Sequence, residues 1–254
     1  MKLIHNILRK AGYKIEKCLP DEQNSSVGYP PDFTQEDIRV IRKVKQYTMT
    51  SDERIWALIR AVEYIVKNQI PGDIVECGVW RGGSMMAAIM ALQTMGVNDR
   101  NLHLFDTFQG MTEPREIDLS FRGEAASDLL QKHCKDERAA IWAYAPLEKV
   151  MANLIALGYD DKKIHFVKGR IEDTIPDNAP QSISLLRLDT DWYESTFHEL
   201  THLYPRLSAG GVLIIDDYGH WQGARKATDE YILKNNLKIL LNRIDYTGRI
   251  AIKQ

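Results

Sequence analysis

The chain has 254 residues, with 33 lysines and arginines against 35 aspartates and glutamates and a formal net charge of −2 at pH 7. That length fits one α/β domain with additions and is enough to bury a sizeable core; the balanced charge argues against a dedicated nucleic-acid binder, which carries a basic stripe. No apolar run approaches a membrane span, the first residues do not read as a secretory signal, and three scattered cysteines, Cys18, Cys77 and Cys134, point to a reducing, cytoplasmic setting.

Residues 1–14 have the spacing of a short basic amphipathic helix. Such a helix packs on its own domain or on a second subunit, so a homo-oligomer is expected; contact with a membrane surface is the other use. Residues 18–36 hold Pro, Asn, Ser and Gly without a period and read as a linker. This sets residues 1–40 apart from a main domain over 41–254. One helix is expected through Glu36–Arg42. A second follows a Thr50-Ser51 cap, with Ile55, Leu58, Ile59, Val62, Ile65 and Val66 on one face and Pro71-Gly72 ending it.

Strand and helix patterns then alternate. Strands are expected at Asp73–Cys77, Leu102–Phe105, Ile164–Val167, Ser184–Leu188 and Val212–Ile215. Helices are expected from Ser84 to about Met95, Pro146 to about Leu157, Ser195 to about Tyr204 and Ala224 to about Lys234. The alternation implies right-handed crossovers and a mostly parallel sheet with helices on both faces. Leu237–Ile244 and Arg249–Lys253, joined by Asp245-Tyr-Thr-Gly248, read as a closing antiparallel hairpin. Residues 107–144 are polar, follow the second strand, and are either a lid over the site or a surface loop.

Two pairs of acids end two of these strands: Asp189 and Asp191 after Leu186-Arg-Leu, and Asp216-Asp217 after Val212-Leu-Ile-Ile. Ligands in open parallel sheets bind at the carboxyl ends of strands. If the two strands are neighbours, four carboxylates converge, and their repulsion calls for a cation, shared protons or basic partners. A hard, oxygen-liganded ion such as Mg²⁺ is the simplest answer.

The segment Ile74-Val-Glu-Cys-Gly-Val-Trp-Arg-Gly-Gly-Ser84 is a strand, a glycine-rich turn and a helix start. A dinucleotide fingerprint needs a second glycine where Trp80 stands, and a phosphate loop needs a lysine where Ser84 stands. A nucleoside with an amino-acid tail and no phosphate fits better, and S-adenosylmethionine is that ligand. Glu76 would take its ammonium group. The turn from Gly78 through Arg81 and Gly82, with Ser84, would take its carboxylate at the helix amino end. Asp106, ending the next strand, is placed to hold ribose hydroxyls, or else is a turn residue. Asp173 either accepts from the adenine amino group or begins a helical turn.

Weaker features weigh toward structure. His198 and His202 have a zinc-ligand spacing but no evident third ligand, so an exposed or capped helix face is expected. His220 borders the acids and is left outside the catalytic set. Trp192, Tyr193 and Trp221 could stack on a sugar or pack at the rim. Met85, Met86 and Met90 are expected in the core.

Glu76-Cys-Gly-Val-Trp-Arg-Gly-Gly-Ser84, Phe105-Asp-Thr-Phe-Gln-Gly-Met111, Leu188-Asp-Thr-Asp-Trp-Tyr-Glu-Ser-Thr196 and Ile215-Asp-Asp-Tyr-Gly219, in that order, resemble the macrocin O-methyltransferase family. The resemblance runs from about Tyr47 to the carboxyl end. It implies the class I methyltransferase fold, Rossmann-like, with a seven-stranded, mostly parallel sheet whose last strand is antiparallel. It also implies Mg²⁺ on Asp189, Asp216 and Asp217, Asp191 as general base, and Thr48 and Met49 near the cofactor. The expected reaction is Mg²⁺-dependent methyl transfer from S-adenosylmethionine to a sugar or glycoside hydroxyl, in natural-product or surface-glycan biosynthesis. An acceptor with vicinal hydroxyls is expected. A metal-dependent phosphohydrolase and a non-catalytic cofactor-binding protein remain the alternatives, since aspartate clusters also hold metals for phosphoryl chemistry.

Overall fold

The computed structural model describes residues 28–137 and 139–254; the basic helix expected at residues 1–14 and most of the expected linker lie outside them. The chain divides into two compact units, residues 1–38 and 39–254. Helix α1 (Gln35–Val44) crosses that boundary. It starts on a reciprocal cap: the Thr34 amide and hydroxyl donate to Asp37, whose own amide donates to the Thr34 hydroxyl.

In the larger unit, helix α2 (Asp52–Lys67) begins where the Ser51 hydroxyl accepts from the Arg54 amide, the cap read in the sequence. Then come β1 (Asp73–Cys77), α3 (Gly83–Thr94), β2 (Leu102–Asp106), α4 (Ala126–Gln131) and α5 (Leu147–Ile155). They are followed by β3 (Ile164–Lys168), the single turn α6 (Ile171–Thr174), β4 (Ile183–Leu188), α7 (Tyr193–Leu203) and β5 (Leu207–Ile215). Helix α8 (Gln222–Lys234) and strands β6 (Asn242–Arg243) and β7 (Arg249–Ile252) complete the unit. The sheet has seven strands in the order β3-β2-β1-β4-β5-β7-β6. Its pairs from β3 through β5 are parallel, and β7 runs antiparallel to both neighbours.

The central strands are apolar on both faces because helices cover both faces. In α3, Met85, Met86 and Met90 are buried, as expected of a helix apolar all round. The closing hairpin is shorter than its pattern suggested. Leu237, Ile239 and Leu241 alternate inward onto the core as half-buried side chains, but only Asn242 and Arg243 join the ladder. Of the four residues of β7, only Arg249 and Ile250 pair with β6; Ala251 and Ile252 have no ladder partner there.

Register builds the site. Cys77 pairs with Leu188, and Leu188 with Ile215, so β1, β4 and β5 end level with one another. The ladder continues one residue past each end: Asp189 N donates to Cys77 O, and Asp216 N to Leu188 O. Gly78, Asp189 and Asp216 therefore lie side by side at the carboxyl edge. Among the described residues no helix is long and apolar enough to cross a membrane.

Candidate active site

A cavity of about 400 Å³ opens at this edge. From the β1–α3 turn and the end of β2 it is lined by Gly78, Val79, Trp80, Gly83, Ser84 and Asp106, and from beyond the ends of β4 and β5 by Asp189, Asp191, Asp216, Asp217 and His220. Thr48 and Met49 also line it, as do Thr107, Gly110, Met111, Ala140 and Ile141 from the 107–144 segment.

The four acids converge, and two arginines are threaded among them. Arg187, in β4, is 2% exposed. Its Nη1 donates to Glu76 and Asp189 at 2.7 Å, and its Nη2 to Asp216 at 2.6 Å and the Thr50 hydroxyl at 3.1 Å. Arg54, from α2, donates to the other Asp216 oxygen and, at 3.0 Å, to Asp245. Asp216 is thus satisfied on both oxygens. Burial pushes the Glu76 carboxyl up to about 8, with Arg187 pulling the other way. Burial also raises Asp189 against the pull of Arg187.

Asp191 sits at φ 68°, a left-handed conformation uncommon for aspartate. That turn solves a problem set by the strand, in which Asp189 and Asp191 would face opposite ways. It brings the Asp191 amide to within 3.3 Å of Asp217 Oδ2 and its carboxyl onto the cavity wall. Burial and the Asp189 charge raise Asp191 to about 7, while bonds to the Asp217 and Trp221 side chains oppose them. Asp217 is raised as well, by burial and then by Asp191. Burial and mutual repulsion among the carboxylates thus favour the protonated form at both acids.

The residues fit a divalent ion. Asp189, Asp216 and Asp217 each offer a carboxylate oxygen, all within 4.8 Å of one another, and they are the group of this kind among the described residues. Five acids (Glu76, Asp189, Asp191, Asp216, Asp217) face two guanidiniums there. Even with Glu76 and one acid of the Asp191–Asp217 pair protonated, three carboxylates face two guanidiniums.

The cofactor side departs from expectation at several residues. Glu76 does not line the cavity: it lies opposite Arg187 in the β1–β4 register and points at that guanidinium, with Oε2 buried and unpartnered. Arg81 stacks on Trp80 and donates to the Gln46 and Glu137 carbonyls, so it ties the turn to the 107–144 segment instead of facing a ligand. Gly82 is at φ 88°, and a Cβ there would stand 2.5 Å from Leu154; it serves the packing of α5 on the turn. Gly78 does face the cavity, and a Cβ on it would fall 1.9 Å from the Asp189 carbonyl. Ser84 is buried on the wall as expected.

Asp106 lines the cavity, but its carboxylate also organises the turn. Oδ2 accepts from the Val79 and Trp80 amides at 2.7 and 3.0 Å, and Oδ1 from Phe108 N at 2.6 Å. The turn reading holds, and each carboxylate oxygen keeps a second lone pair. Asp173 is exposed and off the wall; Ile171 and Glu172 line it instead. The reason is the α6 turn, which swings successive side chains about 100° apart.

His198 is committed to the Ile175 carbonyl at 2.9 Å and lies beside His202. Trp192 and Trp221 are buried, edge to face, with centroids 5.0 Å apart. Sequence reasoning missed Arg54, Arg187 and Glu199. Glu199 is fully buried under the active-site turn and accepts from the Thr190 hydroxyl at 2.9 Å, steadying the residue before Asp191. A charged residue inside an apolar strand was the available signal for Arg187; nothing local marks the other two.

The family profile described as Macrocin-O-methyltransferase (TylF) matches residues 35–252. The chain belongs to this family. It is 34% identical over 80% of its length, and 74% of the other's, to a demethyldecarbamoylnovobiocin O-methyltransferase of Streptomyces niveus. It is 35% identical, with the same coverage, to an 8-demethyl-8-(2,3-dimethoxy-alpha-L-rhamnosyl)-tetracenomycin-C 4'-O-methyltransferase of Streptomyces olivaceus. The solved structure of the O-methyltransferase NovP superposes with a TM-score of 0.70 at 33% identity, covering 82% of each chain. The protein is an S-adenosylmethionine-dependent O-methyltransferase of the class I fold.

Proposed function

We propose that the protein methylates a hydroxyl of a sugar or glycoside in natural-product or surface-glycan biosynthesis, with Mg²⁺ held by Asp189, Asp216 and Asp217. The observation that carries this reading is Asp191, turned at φ 68° onto the cavity wall beside three converging carboxylates. Relatives named for transfer to a glycosyl 4'-hydroxyl and for mycinamicin III 3''-O-methylation support the acceptor class.

Methyl transfer from a sulfonium is an in-line displacement, so the chain must hold donor, methyl carbon and acceptor oxygen aligned. The turn at Gly78, with Ser84 and Asp106, holds the donor at one wall. The acids hold the acceptor at the other, and Met49, Met111 and Ile141 close the space between. When bound, the ion would supply a Lewis acid that lowers the pKa of the acceptor hydroxyl. Asp191 takes the proton. An acid titrating near neutral pH suits that role better than an ordinary aspartate near 4. Asp217 and the Trp221 side chain orient it. Vicinal hydroxyls match the spread of carboxylates on this wall. Buried Cys77 and exposed Cys134 are both free, in keeping with a reducing compartment. Membership of a methyltransferase family sets aside the phosphohydrolase and scaffold readings.

Asp191→Asn tests the assignment. The variant is expected to bind S-adenosylhomocysteine as the native protein does and to lose methyl transfer by 10²-fold or more. Unchanged turnover on an acceptor the native protein uses would remove Asp191 from the role of base.

A further inference from the structure

A second groove, of about 890 Å³, adjoins the cavity and shares His220, Trp221 and Tyr246 with it. Its near end is aromatic. Phe121 and Tyr246, each 52% exposed, flank His220, with ring centroids 5.5 and 6.0 Å from the histidine. Its far end is cationic. Arg243 and Arg249 are direct cross-strand partners in the β6–β7 pair, and Arg225 reaches the same side from α8.

Like charges placed opposite one another in a ladder are destabilising without a counter-charge. Among the described residues none is supplied at ion-pair distance. Arg243 donates to the Asp245 carbonyl, and Arg249 to the carbonyls of Asp245, Thr247 and Gly248. Asp245 itself is spent on Ser51, Arg54 and the Thr247 and Gly248 amides. The other acids of the groove are engaged as well: Asp229 by Tyr218 and Arg225, and Glu230 by Tyr193 and Lys226. After burial, the Arg243 charge is the largest influence lowering the Arg249 pKa, so the two guanidiniums repel. A structure that gathers unmatched arginines beside exposed rings, one step from a catalytic cavity, has the form of an anion subsite.

We propose that the acceptor carries a phosphate ester, seated on Arg243 and Arg249 with Arg225 alongside, while Phe121 and Tyr246 stack on the sugar or base between that group and the cavity. This rests on the sugar-acceptor reading above and narrows it from neutral glycosides to phosphorylated ones. A sugar linked to a nucleoside diphosphate and a simple glycosyl phosphate share this chemistry.

The test is calorimetric titration of the full chain, saturated with S-adenosylhomocysteine, in EDTA so that phosphates cannot chelate metal. Probes are inorganic pyrophosphate, UDP-glucose, glucose 1-phosphate and methyl glucoside. Pyrophosphate and the phosphorylated sugars are expected to bind saturably, more weakly as salt rises, and methyl glucoside at least tenfold more weakly than either sugar phosphate. Arg243→Glu and the double variant Arg243→Gln/Arg249→Gln are expected to lose tenfold or more toward the phosphorylated probes while S-adenosylhomocysteine affinity stays unchanged. That unchanged affinity also shows that each variant is folded. UDP-glucose binding tenfold above glucose 1-phosphate identifies a nucleotide-linked acceptor; equal binding identifies a simple phosphate ester. Native protein that binds S-adenosylhomocysteine but not pyrophosphate, or variants with native affinity for it, would overturn the subsite alone. Native protein that fails to bind S-adenosylhomocysteine would instead overturn the methyltransferase reading.

Discussion

Replacing Arg187 by methionine keeps much of the side chain's length and removes its charge. The native guanidinium makes four bonds of 2.6–3.1 Å, to Glu76, Asp189, Asp216 and Thr50, in a site 2% exposed. Taking one partner from a buried ionic network leaves uncompensated charge and costs about 3–5 kcal/mol. In a domain of this size that corresponds to a fall of about 6–20 °C in Tm. The loss has a pH signature. Glu76 is already raised from its ordinary 4.5 to about 8 by burial, with Arg187 the main opposing influence. A carboxyl raised in the folded state favours folding most below its unfolded value and loses that contribution as pH rises toward the folded value. Without Arg187 the folded value climbs further. The variant's deficit should therefore be largest above pH 8 and shrink as pH falls toward 5, below the values of Glu76 and Asp189. Urea denaturation at pH 5.5, 7 and 8.5, comparing midpoints at constant slope, measures this. A deficit below about 1 kcal/mol at pH 8.5, or one that does not vary with pH, would refute the claim that Arg187 neutralises the buried acids.

Gly78→Ala places a Cβ 1.9 Å from the Asp189 carbonyl at φ 82°. It is expected to cost about 3 kcal/mol or more and to abolish S-adenosylhomocysteine binding; native thermal melting with intact binding would contradict the geometry. Exhaustive chelation should stop methyl transfer and leave S-adenosylhomocysteine binding unchanged, with Mg²⁺ restoring turnover; full activity after chelation would remove the ion from the reaction. Asp73 lies away from the site, and its carboxyl is held low because bonds from His103 and Asn101 outweigh burial. Asp73→Asn should cost about 1 kcal/mol at pH 7. A lowered carboxyl contributes stability above its unfolded value and loses it as pH falls through the folded value. The native and variant urea midpoints should therefore converge below about pH 3. Midpoints separated equally at pH 7 and pH 2.5 would refute the claim that these bonds stabilise the Asp73 carboxylate.

Much of the architecture was legible along the chain because it depends on local pattern. Apolar runs of five or six residues alternating with helical periods specify a parallel sheet, and the strands at Asp73–Cys77 and Ile183–Leu188 lie within a residue of where their patterns put them. The acids at 189, 191, 216 and 217 announced a site because charge directly after an apolar strand has one place to go in such a sheet. The edge strand was overread: Leu237–Leu241 has strand periodicity, but periodicity records which face is buried and not whether the backbone comes within bonding reach of its neighbour. Glu76 and Asp173 were assigned to the cofactor by position in a motif. Their directions depend on a cross-strand neighbour, Arg187, and on a one-turn helix, and neither is local information. Arg54 and Asp245 reach the site from a helix and a turn distant in sequence. One-dimensional pattern names the residues that must be buried or charged; only packing pairs them, because ion pairs form between groups that the chain brings together by folding.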